Sequence, residues 1–136
     1  MSKPILFLIA IFCSAIAFSQ NVININETEL NEDIENVLMK KLDTDSNSTS
    51  FLIWVKKEVP SHKHATHSEL IYVVEGQGII TVNGSKSNIG TGDYFRIPQN
   101  TFHSLEVLSK KPIKVLSIQS PEFFGDDRIL ENELKK

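Results

Sequence analysis

From residue 51 onward the chain is a succession of short apolar or alternating runs, each stopped by turn-forming residues. The runs cover residues 51–57, 69–75, 78–82, 93–97, 101–108 and 112–119. Between them stand Glu75-Gly76, Asn83-Gly84, Gly90-Thr91-Gly92, Pro98-Gln99-Asn100 and Ser109-Lys110-Lys111. Asn-Gly between two strands signals a two-residue hairpin, because both central residues of such a turn need positive φ. Many short strands with tight turns imply an all-β fold of two antiparallel sheets closing into a barrel.

All four histidines of the chain lie in this strand-rich part. His62 and His64 are two apart, so on an extended strand both rings point to one face. Glu69 opens the apolar run Leu70-Ile71-Tyr72-Val73-Val74, where a carboxylate is costly unless a cation or donor partners it. His103 sits in a second run, with Thr101 and Leu105 on its side by alternation. Three imidazoles and one carboxylate suit one divalent first-row transition ion with coordination positions left open, and do not separate iron, manganese, zinc, nickel and copper. His67 shares the parity of Glu69 and so could face the same cavity; a solvent-facing loop position, a proton shuttle or supporting role beside that ion, and direct ligation in place of Glu69 are the alternatives. The same parity makes Ile71, Val73, Phe95 and Leu105 the lining of an apolar substrate pocket. The planar fork of Arg96 would suit a carboxylate or phosphate, but its alternation with Phe95 and Ile97 turns it outward.

The two spaced groups His62-x-His64-x4-Glu69-x6-Gly76 and Gly92-x5-Pro98-x-Asn100-x2-His103 resemble the paired motifs of the cupins, separated by the short span of residues 77–91. Lys56 stands where the first motif opens with glycine, Asn100 replaces a glycine and Val107 replaces a terminal asparagine; no ligand position is touched. Asn tolerates left-handed backbone, so Asn100 can serve the same turn. The resemblance covers about residues 51–124 and implies a double-stranded β-helix, or jelly roll. It also implies metal ligation by His62, His64, Glu69 and His103. Chemistry of the oxygenase, isomerase or lyase type on a small organic molecule follows from it, the alternative being a non-catalytic small-molecule or sugar-binding or sensor module.

Residues 1–19 carry Lys3 and then a short apolar stretch broken by Ser14 and Ser19, the form of a cleaved export signal. The mature chain is therefore expected in the periplasm or outside the cell. Cys13 does not mark a lipid anchor, because the bulky Phe12 precedes it, so no membrane attachment is expected after cleavage. Cleavage removes one lysine and no acid, moving the net charge from −3 to −4, and takes the chain's one cysteine with it. An acidic chain with two arginines is a poor partner for nucleic acid. Residues 20–50 read as a brief strand at 22–26, a helix over 28–42 and a polar linker over 43–50. The helix rests on Leu30, Ile34, Val37, Leu38 and Leu42 at helical spacing. That helix, with Tyr72 and Val74 facing outward, suggests apolar surface covered in a homodimer. Residues 125–136 read as a tail.

Overall fold

The computed structural model describes residues 22–135, so the expected export signal lies outside the described residues. Ten strands form two five-stranded antiparallel sheets. They are β1 (Val37–Thr44), β2 (Thr49–Val55), β3 (Glu58–His64), β4 (Ser68–Glu75), β5 (Gln77–Val82), β6 (Ser85–Gly90), β7 (Tyr94–Ile97), β8 (His103–Val107), β9 (Ile113–Ser120) and β10 (Arg128–Leu130). One sheet runs β1-β2-β9-β4-β7 and the other β10-β3-β8-β5-β6. Successive strands alternate between the sheets over much of the chain, which is the double-stranded β-helix.

Alternation along the strands fills the interior. Phe51, Ile53 and Val55 of β2, Ile71 and Val73 of β4, Ile80 of β5, Ile89 of β6, Ile97 of β7 and Ile113 and Val115 of β9 form one buried cluster. The turns behave as their residues require: Asn83 and Gly84 take φ of 48° and 79° in the β5–β6 hairpin, and Asn100 takes 60°. Gly76, at φ 94°, has no room for a side chain, since an added Cβ would come within 2.9 Å of the Ile113 backbone.

One irregularity sets the site. Val59 pairs with Leu105 and His62 with His103, so three steps on β3 oppose two on β8. The bulge falls at Pro60-Ser61, where proline has no N–H to offer a ladder. It shifts the alternation so that Val59 above it and both His62 and His64 below it face the interior.

The N-terminal part differs from the helix expected over residues 28–42. Residues 37–42 belong to strand β1, paired along β2, and residues 28–36 are irregular. Leu30, Ile34, Leu38 and Leu42 recur every four residues, a spacing that a helix face and a strand face both satisfy. The decision comes from pairing partners: β2 offers a free edge, and Ile34 with Leu30 and Ile25 lies over the outward-facing Leu52, Trp54 and Val74. Much of the apolar face that suggested a dimer is thus covered by the chain's own first segment, with Val74 buried and Tyr72 exposed. Lys114, buried on that outer face, donates to the carbonyls of Asn26 and Thr28 at 3.3 and 3.0 Å, and Lys56 pairs with Asp33 at 2.6 Å.

Three further expectations are corrected here. Residues 22–26 form no strand; a turn there is held by the Asn24 side chain accepting from the Asn26 amide at 3.1 Å. The polar stretch 43–50 is the end of β1, a tight turn and the start of β2, the turn closed by Asp45 Oδ1 accepting from the amides of Asn47 and Ser48 at 2.7 and 3.0 Å. The exit segment, expected as a tail, contributes β10, which pairs with β3 at the sheet edge.

Because Ile34 joins the irregular segment to the outer face of β2, Ile34→Ala should lower the unfolding free energy by about 2 kcal/mol, the low end for a buried aliphatic truncation. Urea denaturation checks this; an unchanged midpoint would show that residues 22–36 add nothing to the fold.

Candidate metal centre

His62 and His64 on β3 and His103 on β8 are buried, and their nearest ring nitrogens lie within 4.8 Å of one another. Each ring is fixed from behind. Nδ1 of His62 bonds the Pro60 carbonyl at 2.9 Å and Nδ1 of His103 bonds the Thr101 carbonyl at 3.0 Å. These contacts place the ring proton on Nδ1 and leave Nε2 with a free lone pair. Nδ1 of His64 faces Asp127 Oδ1 at 3.3 Å, the carboxylate–imidazole arrangement that orients a ligand ring.

Glu69, at the start of β4, reaches the same point from the other sheet. Its Oε2 is 3.6 Å from Nε2 of His103 and 4.0 Å from Nε2 of His64. Its Oε1 accepts from Ser117 Oγ at 2.5 Å and Gln119 Nε2 at 3.3 Å, both on β9. One oxygen is thereby saturated and the other is left toward the histidines. Neutral imidazole nitrogens with tied backs and one ionisable oxygen fit a divalent transition ion by donor type.

These four side chains share a cavity of about 570 Å³ with Ile71, Phe95, Leu105, Ile80, Leu130 and Phe123. Three of the four residues expected as lining are there; Val73 also points inward but is fully buried in the core and does not reach the cavity. Arg96 is on the exposed face and donates to Ser68 Oγ at 3.1 Å. Lys63, between the ligand histidines, points away and lies over the Phe102 ring.

His67 takes neither the cavity wall that its parity allows nor a solvent-facing loop position. It is buried behind His64, ring centroids 4.1 Å apart, and is not among the described residues that line the cavity. Its Nδ1 is 2.8 Å from Asp127 Oδ2, off the line of a hydrogen bond. His64, His67 and Asp127 form a second set of nitrogens and oxygens within 4.8 Å, but Asp127 there is already engaged by the Thr66 amide and hydroxyl at 3.0 and 2.7 Å. Burial alone would raise the Asp127 pKa; the Thr66 hydrogen bonds with His67 and His64 outweigh it and hold the carboxyl below its ordinary range.

Four contributors were not visible in the sequence pattern: Ser117 and Gln119, which read only as part of a strand, and Asp127 and Arg128 in the turn-rich exit. Arg128 is the Cα partner of His64, so their side chains share a face, and it lines the cavity. Phe123, in the same exit, stands edge-on to Phe51 and to the rings of His64 and His67, whereas Phe124 is exposed.

A family model described as a cupin domain matches residues 50–119, just over half of the chain, and the chain belongs to that family. Among curated proteins it is similar to an uncharacterized protein of Methanocaldococcus jannaschii, 37% identical over 71 residues, which are 52% of this chain and 57% of that protein. It is also similar to quercetin 2,3-dioxygenase of Bacillus subtilis, 30% identical over 66 residues, 48% of this chain and 19% of the enzyme. The chain thus spans little over half, or less, of the length of these relatives. Among solved structures, KdgF from Halomonas sp. superposes with a TM-score of 0.66 at 19% identity, over 78% of this chain and 97% of the other, which shows the shared fold.

Desolvation, more than the neighbouring His103 charge, lowers the His62 pKa from 6.5 to about 3; it also lowers those of His64 and His103. In the unfolded chain each ring protonates near ~6.5. The unfolded state therefore binds more protons between those values, and stability contributed by these rings is full above ~6.5 and is lost as pH falls toward 3. The melting temperature of metal-free protein should accordingly fall steadily below pH 6.5. A midpoint that stays level down to pH 4.5 would contradict the buried neutral rings.

Proposed function

We propose that this chain is a metal-dependent cupin enzyme, with His62, His64, Glu69 and His103 holding one divalent transition ion at the floor of an apolar cavity that admits a small organic molecule. The observation that carries this is the convergence of imidazoles whose Nδ1 atoms are tied to Pro60, Thr101 and Asp127. Rings locked in that sense present Nε2 lone pairs to a common point before any ion arrives. An ion held there supplies Lewis acidity and lowers the pKa of a water it binds. Ser117 and Gln119 hold the Glu69 carboxylate, Asp127 orients His64, and the apolar walls exclude bulk water. His67, placed behind His64, supports Asp127 and does not carry protons through the cavity.

A second reading, a binding or sensor module without turnover, is favoured by the lining itself. Among the described residues around the cavity, the titratable groups are the four donors and Arg128, so no separate acid or base stands ready.

The metal proposal is tested by elemental analysis and thermal melting. Wild type should bind close to one ion and, at free ion about 100 times Kd, gain roughly 2.7 kcal/mol of stability. His64→Ala and His103→Ala should lose most of the ion, and His67→Ala should retain it. Equal metal content and equal melting shifts in wild type and His103→Ala would overturn the site. Export belongs to the same proposal: the mature chain recovered from its host should have the intact mass of residues 20–136, and lipid on Cys13 or retention of residues 6–15 would refute it.

A further inference from the structure

Arg128 has no place in holding the metal ligands. It lies on β10 opposite His64 and lines the cavity. No hydrogen bond or ion pair to another described residue fastens its guanidinium. Among the described residues lining the cavity it is the cation that is not a histidine, and the wall around it is Ile71, Phe95, Leu105, Leu130 and Phe123. Burial lowers the pKa of Arg128 more than the Glu69 carboxylate raises it. A planar guanidinium with five donors and no protein acceptor is matched by a carboxylate, which takes two parallel N–H bonds.

A second unfilled group lies across the cavity. Gln119 is buried, its Nε2 is committed to Glu69, and its Oε1 has no hydrogen-bond partner. That oxygen calls for a donor such as a hydroxyl, and would repel a second anion. A phosphate dianion would ask for more cationic or amide donors than this wall offers.

We infer that the cavity takes a small hydroxy acid, with the carboxylate held in the fork of Arg128, the hydroxyl directed to Gln119 Oε1 and an apolar body against the isoleucine and phenylalanine wall. The inference rests on the metal-dependent reading for its chemistry but makes Arg128 a substrate-positioning residue in its own right. The clamp exists whether or not an ion is bound.

The test uses three probes with one phenyl body, mandelate, phenylacetate and benzyl alcohol, titrated calorimetrically into metal-free and zinc-loaded protein. Mandelate should bind tightest. Loss of the hydroxyl in phenylacetate and of the carboxylate in benzyl alcohol should each weaken binding. Arg128→Gln should weaken mandelate by about 10-fold or more in both forms, the worth of a charge-assisted hydrogen bond, and leave benzyl alcohol unchanged. Arg128→Lys, which keeps the charge and loses the fork, should fall between. Zinc content is measured on every sample and should be the same in wild type and both variants. Mandelate binding that Arg128→Gln does not alter, or benzyl alcohol binding as tightly as mandelate, overturns the clamp. Phenylacetate binding as tightly as mandelate overturns the hydroxyl contact. Failure of wild type to take up zinc, with the mandelate preference intact, would remove the metal reading and leave the clamp standing.

Discussion

A carboxylate set into an apolar interior survives there only if its oxygens are engaged, and Glu69 is the point at which this fold meets that requirement. Ser117 and Gln119 on β9 donate to one of its oxygens, while the other is turned toward the Nε2 atoms of the neutral His64 and His103 rings on β3 and β8, where a cation would engage it. The register of β4 against β9, with Glu69 opposite Gln119 and Ile71 opposite Ser117, is what delivers the two donors to one oxygen. A shift of either strand by one residue would turn the donors outward and strand the charge. The polar floor of the cavity and the pairing of the central strands are therefore one constraint.

The bulge at Pro60-Ser61 is the matching device on the opposite sheet. Without the extra residue, strict alternation from Val59 would send His62 and His64 to the outside. Proline is tolerated there because the ladder is already interrupted. The apolar mouth and the imidazole floor can both face inward on a single strand for that reason.

The strand runs after residue 51, the Asn83-Gly84 hairpin and the left-handed Asn100 were legible because each rests on local chemistry: alternation, or a backbone angle few residues accept. The two-residue spacing of His62 and His64 was legible on the same ground. Leu30, Ile34, Leu38 and Leu42 misled because a four-residue spacing fits either period, and only the free edge of β2 decides between them. Asp127 and Arg128 were hidden for a different reason. They belong to a turn-rich segment without period, and Asp127 meets His64 across 63 residues of sequence, a relation that no local pattern encodes.

That distance has a consequence for how the molecule comes into being. Chains emerge from their N-terminus, and the four strands that carry the donors and their supports, β3, β4, β8 and β9, are all complete before β10 exists. Until residues 127–130 arrive, β3 has an open edge, the ring of His64 lacks the acceptor that fixes its tautomer, and the cavity wall lacks Arg128. A growing chain can thus hold every nitrogen of the centre and still present it loosely. The short strand β10 closes that edge, orients the His64 ring and brings in Arg128 together, so the arrangement around the histidines depends on residues far from them in sequence.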